Sequence, residues 1–245
     1  MSSSMWRFRF LSVNKPISLG IIVPLSLVTT FSSNHWVGAS TNFSYTISES
    51  PHRVSILLAQ TNNLEQEIIV ELNRVRANPS AYAAELQTFR PYYEGNLLKI
   101  PGSIPIQTVE GVKAVDEAVQ FLRSISPMPS LSRSAGMSRS AREQVNDQGP
   151  KGTIGHNSSD GSDPFSRIAR YGTAQGRQAE TISYSESTAQ GVVRQLIVDD
   201  GVPSRGHRQI ILNPQLGAVG VACGYHARYG TMCVMDYATA YIERG

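Results

Sequence analysis

Gly201-Val202-Pro203-Ser204-Arg205-Gly206-His207-Arg208-Gln209-Ile210-Ile211-Leu212 is the stretch on which the reading of this chain turns. Val202-Pro203 and Gly206 punctuate a loop, and Ile210, Ile211 and Leu212 return the chain to a core. The stretch predicts His207 on a turn between a helix and a closing pair of strands, held by a rigid frame yet facing a cleft. Upstream, Ser187 to Asp199 reads as a helix whose inner faces are Val192 with Leu196 and Val193 with Ile197. Downstream, Ala218 to Tyr241 reads as a hairpin: Val219, Val221 and Cys223 alternate on one strand, and Cys233, Met235 and Tyr237 on the next. If that hairpin folds symmetrically about Arg228, the two sulfurs face each other. In an exported protein Cys223 and Cys233 are then expected to form a disulfide, the alternative being two buried thiols.

Working outward, a first helix is expected from Asn63 as N-cap, with Leu64, Ile68, Leu72 and Val75 as its apolar stripe. Asn78-Pro79 starts a second helix that runs to about Thr88. Gly95 to Pro105 reads as an irregular excursion. Val112, Val115, Val119 and Leu122 share the face of a third helix, which Pro127 and Pro129 end. Ser132 is expected to cap a fourth helix that stops before Gly149-Pro150. Asp163-Pro164 caps a further helix after a polar loop, and Glu180 opens a short strand to Tyr184. Helices placed before and around a late hairpin indicate one α+β domain.

The chain has 245 residues, 40% hydrophobic and 17% charged, which suits one sizeable globular domain. Residues 1–39 hold Arg7, Arg9 and Lys15, no acids, an apolar run from Ile17 to Phe31, and the small residues Val37-Gly38-Ala39. This pattern is that of a secretory signal peptide; an uncleaved N-terminal anchor is the alternative, and the only route to a membrane. Residues 40–61 read as a tether and 62–245 as the domain. Removing the three leader cations from 22 leaves 19 against 19 acids, so the net charge of +3 argues for no nucleic-acid partner. The expected location is secreted, extracellular or periplasmic. Asn42-Phe43-Ser44 and Asn157-Ser158-Ser159 are glycosylation sequons, meaningful only in a eukaryotic secretory pathway.

Beyond residue 61 the histidines are His156, His207 and His226. His226 falls at the hairpin turn and is expected to be solvated. His156 and His207 each follow a glycine in loops beside helices, Glu180 lies on a strand, and Asp199 ends the helix that delivers His207. These two imidazoles and two carboxylates could converge into one polar site. Such a set suits a divalent cation such as Zn²⁺, or acid–base chemistry with each carboxylate orienting an imidazole. The acids of Asp160-Gly161-Ser162-Asp163 lack the ligand spacing of a Ca²⁺ loop.

Several motifs carry a family resemblance: Glu71 to Pro79, Gly155-His156, Asp160 to Phe165, Asp199 to Arg208, and Gly220 to Gly224. Over about Leu64 to Tyr241 the chain resembles the CAP superfamily (cysteine-rich secretory, antigen 5 and pathogenesis-related proteins, the SCP domain), in particular its secreted bacterial-type members. The resemblance implies a three-layer α–β–α sandwich with a cleft holding His156, His207, Glu180 and a second acid best matched by Asp199. The family's usual Gly-Glu-Asn is Ala179-Glu180-Thr181 here, and Asp199 is one methylene shorter than the Glu of eukaryotic relatives. It also implies a ligand-binding module whose cleft takes a divalent cation (Zn or Ca), with a separate apolar groove for a lipid or sterol-like ligand. A metal- or His-dependent hydrolase, peptidase or esterase, is the alternative. A third possibility is that the four polar residues only satisfy one another's hydrogen bonds. No Gly-x-Ser-x-Gly elbow surrounds Ser204, which reads as a turn residue.

Overall fold

The computed structural model describes residues 51–244; the expected leader, the first part of the tether and the Asn42 sequon lie outside them. In chain order the elements are α1 (Pro51–Ala77), α2 (Pro79–Gln87), a 3-10 turn (Arg90–Tyr92), β1 (Tyr93–Glu94), β2 (Leu97–Leu98), β3 (Ile106–Gln107), α3 (Val112–Ser124) and β4 (Ser132–Arg133). They continue with α4 (Ala135–Lys151), α5 (Pro164–Tyr171), β5 (Gly172–Tyr184), α6 (Ala189–Val198), α7 (Gly206–Ile211), β6 (Ala218–His226) and β7 (Gly230–Glu243).

The main sheet has the order β4-β6-β7-β5, with β4 parallel to β6 and the other pairs antiparallel. Period-two alternation sends the hairpin side chains to opposite faces. Val219, Val221, Cys223, Cys233, Met235 and Tyr237 join the larger core with residues of α1, α2, α3 and α6. Ala222, Met232 and Val234 face the other way, against Ala141 and Val145 of α4, while Ala218 and Ala238 meet Met137 and Ile168. The result is the α–β–α sandwich. α4 lies close on the sheet because β6 carries Gly220, where a Cβ would stand 2.2 Å from the backbone of Met137 and Ser138.

Arg76, fully buried at the end of α1, clamps the large core. It donates to the carbonyls of Pro129 (2.9 Å), Ile211 (2.7 Å), Asn213 (3.0 Å) and Leu216 (2.9 Å), so one guanidinium ties the connection between α7 and β6 to the loop that precedes β4. A planar fork of five N–H donors is suited to that task.

Several boundaries differ from expectation. α1 begins at Pro51, so residues 51–61 of the expected tether are helical, and Asn63 is not a cap. Ile56 to Gln60 are adequate helix formers, and an interior Asn costs only a fraction of a kcal/mol; Asn63 donates along the helix to Glu67 (2.7 Å). Ser134, not Ser132, caps α4, accepting from the Met137 N–H, while Ser132 pairs in β4. α4 runs through Gly149-Pro150 to Lys151 because its last turn is fastened to the hairpin: Gly149 O accepts the Ala227 N–H at 2.8 Å, and Gly152 closes the helix in the left-handed region. The excursion after Gly95 contains β2, part of a small meander in the order β1-β2-β3. β5 is longer than the expected Glu180–Tyr184 strand, since its polar first half pairs with the end of β7 across a bulge.

Cys223 and Cys233 are directly opposed in the β6–β7 register and are disulfide-bonded. With 10 residues of separation, reduction or a Cys223→Ala/Cys233→Ala pair should lower unfolding free energy by about 3 kcal/mol at most in the loop-entropy account. Denaturant titration with and without reductant checks this, and an unchanged midpoint contradicts it.

Candidate functional site

Asp199 closes α6 in the left-handed region (φ 56°, ψ 40°), a conformation that Asp tolerates better than most side chains. That turn points its buried carboxylate at the start of α7. It accepts from the backbone N–H groups of His207 (3.0 Å) and Arg208 (3.3 Å), and from His207 Nδ1 at 2.7 Å. His207 therefore lies in the first turn of a short helix, not on an open turn. Arg205, itself left-handed, bridges Glu110 and Glu117 and donates to the carbonyls of Asp199 (2.8 Å) and Val202 (3.1 Å). Its guanidinium holds both glutamates below the usual carboxylate range.

The second pair is built on the sheet. Glu180 lies inside β5, and its side chain is almost wholly buried. One oxygen accepts from His156 Nδ1 (2.8 Å) and the other from Arg167 Nη2 of α5 (2.5 Å). Arg167 also donates to His156 O (3.0 Å), Ser158 Oγ (3.1 Å) and Ser162 O (3.2 Å), while Gln144 and Gln148 of α4 donate to Gly155 O. The loop that carries His156 is thus pinned from two helices. An ionised carboxylate only accepts, so each Nδ1 is the donor and the lone pair of each neutral ring resides on Nε2.

One histidine from each pair lines the same cavity. A cavity of about 520 Å³ is lined by His156, His207 and Asp199 together with an apolar wall that includes Leu86, Leu98 and Ile106. Among the described residues, no group of three or more His, Cys, Asp or Glu side chains is arranged to hold a metal ion. Both carboxylates are turned to the Nδ1 side of the rings, so the imidazoles are left as the ring-nitrogen donors.

His226 corrects an expectation. It is fully buried: Nδ1 accepts from the Arg228 and Tyr229 N–H groups, and Nε2 donates to Thr153 O at 2.9 Å. Its ring stacks on Tyr229, and the end of α4 covers the turn, so it is a structural residue. Ser204 is a turn residue whose carbonyl accepts from Gln209.

Two neighbours escape the sequence reading. Arg167 shares its helix with no motif that marks it as an ion-pair partner. Asp236 does break a visible pattern, a carboxyl in the otherwise apolar run Cys233 to Tyr237. It pairs with Glu180 across β5–β7 and is fully buried, and neither oxygen has a hydrogen-bond partner; Ser140 Oγ and Arg167 Nε are unpartnered as well. Burial first, and the Glu180 carboxylate second, push the Asp236 carboxyl well above the usual range. The Arg167 guanidinium bonds only Glu180 of these two buried carboxyls, and Asp236 is the one pushed toward its neutral form.

An α–β–α sandwich whose cleft carries two histidine–carboxylate pairs defines the class of protein. Residues 117–237 match the family described as CAP, the cysteine-rich secretory protein family, and that part of the chain is a CAP domain. An extracellular SCP-domain protein from Bacillus anthracis is 18% identical over 51% of this chain and 39% of its own, with a TM-score of 0.38. An outer surface protein from Borrelia burgdorferi is 17% identical over 53% of this chain and 89% of its own, with a TM-score of 0.40. The chain thus spans about 39% of the Bacillus protein's length. No curated protein matches the sequence. No described helix is long and apolar enough to cross a membrane.

A carboxyl that stays protonated in the fold costs stability as pH rises above its ordinary value, because the unfolded chain releases the proton and the folded chain does not. Asp236→Asn should therefore gain on the wild type with rising pH: near-equal stability at pH 4, and an advantage at pH 8 that urea titration resolves. A difference independent of pH contradicts a neutral Asp236.

Proposed function

We propose that this chain is an exported CAP domain that binds an amphipathic ligand of lipid or sterol-like character in the histidine-bearing cavity. The observation that carries the reading is that single space of about 520 Å³, which is lined by both an apolar wall and two carboxylate-oriented imidazoles. Its volume falls in the range of roughly 300–1,000 Å³ typical of small-molecule sites, as does its mix of apolar lining with a few fixed polar groups. Export is supported by the basic, then apolar, N-terminal sequence and by the disulfide.

The imidazoles also offer a divalent cation two nitrogen donors with carboxylates behind them, an arrangement that orients metal-bound rings. Nitrogen donors favour Zn²⁺ over Ca²⁺, which takes oxygen ligands. Two rings make an open site that needs water or ligand to complete it, so a cation would hold the ligand's polar end and polarise it.

Calorimetry with neutral single-chain probes, 1-octanol to 1-dodecanol, tests the binding reading, with a sterol as competitor. Affinity should rise by about fourfold per methylene, the equivalent of ~0.8 kcal/mol per buried CH₂. Ile106→Arg, at a partly exposed position in the lining, should weaken it by about tenfold, roughly 1.4 kcal/mol. No saturable binding by the folded protein, or binding indifferent to Ile106→Arg, overturns the reading.

One observation favours hydrolysis as a second reading: each imidazole donates from Nδ1 to a buried carboxylate, the tautomer in which Nε2 is the basic nitrogen of the ring. Esterase or peptidase activity that falls at least a hundredfold in His207→Ala would support it. Activity unchanged by that substitution would end it.

A further inference from the structure

Three charged residues line the cavity and belong to neither histidine pair: Arg194 of α6, Glu186, which precedes that helix, and Asp200, which follows it. Arg194 lies over Phe89, with Cζ 4.5 Å from the ring centroid. Unlike Arg76, Arg205 and Arg208, whose guanidinium groups donate to carbonyls or carboxylates, it makes no hydrogen bond or ion pair among the described residues. Stacking occupies the face of a guanidinium and leaves its edge of N–H donors for a planar oxyanion. Glu186 is likewise without a hydrogen bond. Burial pushes its carboxyl up, and the nearby Arg194 partly offsets that rise.

Resting on the amphiphile-binding reading above, we propose that Arg194 is the head-group anchor of this cavity and selects a single-chain ligand carrying one carboxylate. Charge decides the class. The cavity offers one uncommitted guanidinium, while Glu186, Asp199 and Asp200 place three carboxyl groups along the same lining. Asp200 is held as an acceptor by the Val109 and Glu110 N–H groups (2.6 and 2.8 Å), and Asp199 by His207, so neither is turned to neutralise Arg194. A monoanion gains the Arg194 fork at tolerable repulsion, whereas a phosphate dianion meets the three acids. Phe89 supplies a flat apolar floor under the guanidinium, next to the wall formed by Leu86 and Leu98. Glu186 is the competitor for Arg194, so its charge sets how strongly an anionic head is drawn in.

The test compares probes of one chain length on the purified full-length protein at pH 8: decanoate, 1-decanol and decyl phosphate, by calorimetry. The expected result is decanoate binding about tenfold or more tightly than decanol, as a charge-assisted pair requires, with decyl phosphate weaker than decanoate. Arg194→Leu should bring the acid-to-alcohol ratio to about one or below, and Glu186→Gln should raise it several-fold. Because Glu186→Gln removes only a charge, it keeps the test informative if Arg194→Leu folds poorly. A ratio near one in the wild type, a ratio indifferent to both substitutions, or decyl phosphate binding most tightly overturns the Arg194 assignment while leaving the apolar cavity standing. Failure of all three probes overturns the cavity reading itself, and the Arg194 assignment with it.

Discussion

A carboxylate taken out of water must be met by donors, and Asp199 is one that the chain has taken out of water. Its donors are the first backbone N–H groups of α7 and the ring of His207. Meeting them requires the left-handed turn that ends α6, and the Gly201–Arg205 loop then follows the path that returns the chain within reach. Arg205 and Arg208 brace the same turn, Arg208 by donating to the carbonyls of Ile197 (2.6 Å) and Val198 (2.8 Å) at the end of α6. Packing, backbone strain and ring orientation are one problem here, solved by one side chain.

Glu180 repeats the arrangement on the other side of the cavity with different parts. Its cation is Arg167, buried with it, and removal of one partner from such a pair typically costs ~3–5 kcal/mol because the other is left uncompensated. A helix cap at Asp163, which places Arg167, and a strand register, which places Glu180 beside Asp236, therefore decide where His156 points. The sheet acts as the frame and the α5 helix as the counter-charge. The cavity lies between two such fixed rings and the apolar faces of α2, α6 and the β1–β3 meander.

The elements most legible in the sequence are those whose pattern is local. Alternation about Arg228 places Cys223 against Cys233, Asn78-Pro79 and Asp163-Pro164 start the helices that they cap, and the Ile68–Leu72–Val75 stripe faces the core. His156, Glu180, Asp199 and His207 are nameable as residues, but their pairing is not. It depends on contacts 24 and 8 positions apart that no single helical or strand period encodes. Arg167, Arg194 and Glu186 escape because an arginine or glutamate on an amphipathic helix or loop looks the same whether it meets solvent, a carboxylate or a cavity. His226 is misread for a related reason. Its place at a hairpin end suggests solvent, and long-range cover from α4 and Tyr184, added to the neighbouring Tyr229, buries it. The early start of α1 is hidden by a Ser-, Thr- and Asn-rich composition that favours a tether in isolation.

The central claim is that two imidazoles, each fixed by a buried carboxylate, face one ligand-binding space. Histidine ¹⁵N NMR of the protein at pH 8, before and after a saturating neutral amphiphile, tests it most directly. The account predicts that His156 and His207 both carry their proton on Nδ1, that His226 carries its proton on Nε2, and that only the first two sets of signals move when ligand is added. Nε2–H forms for His156 and His207, or a ligand that perturbs neither ring, would contradict it.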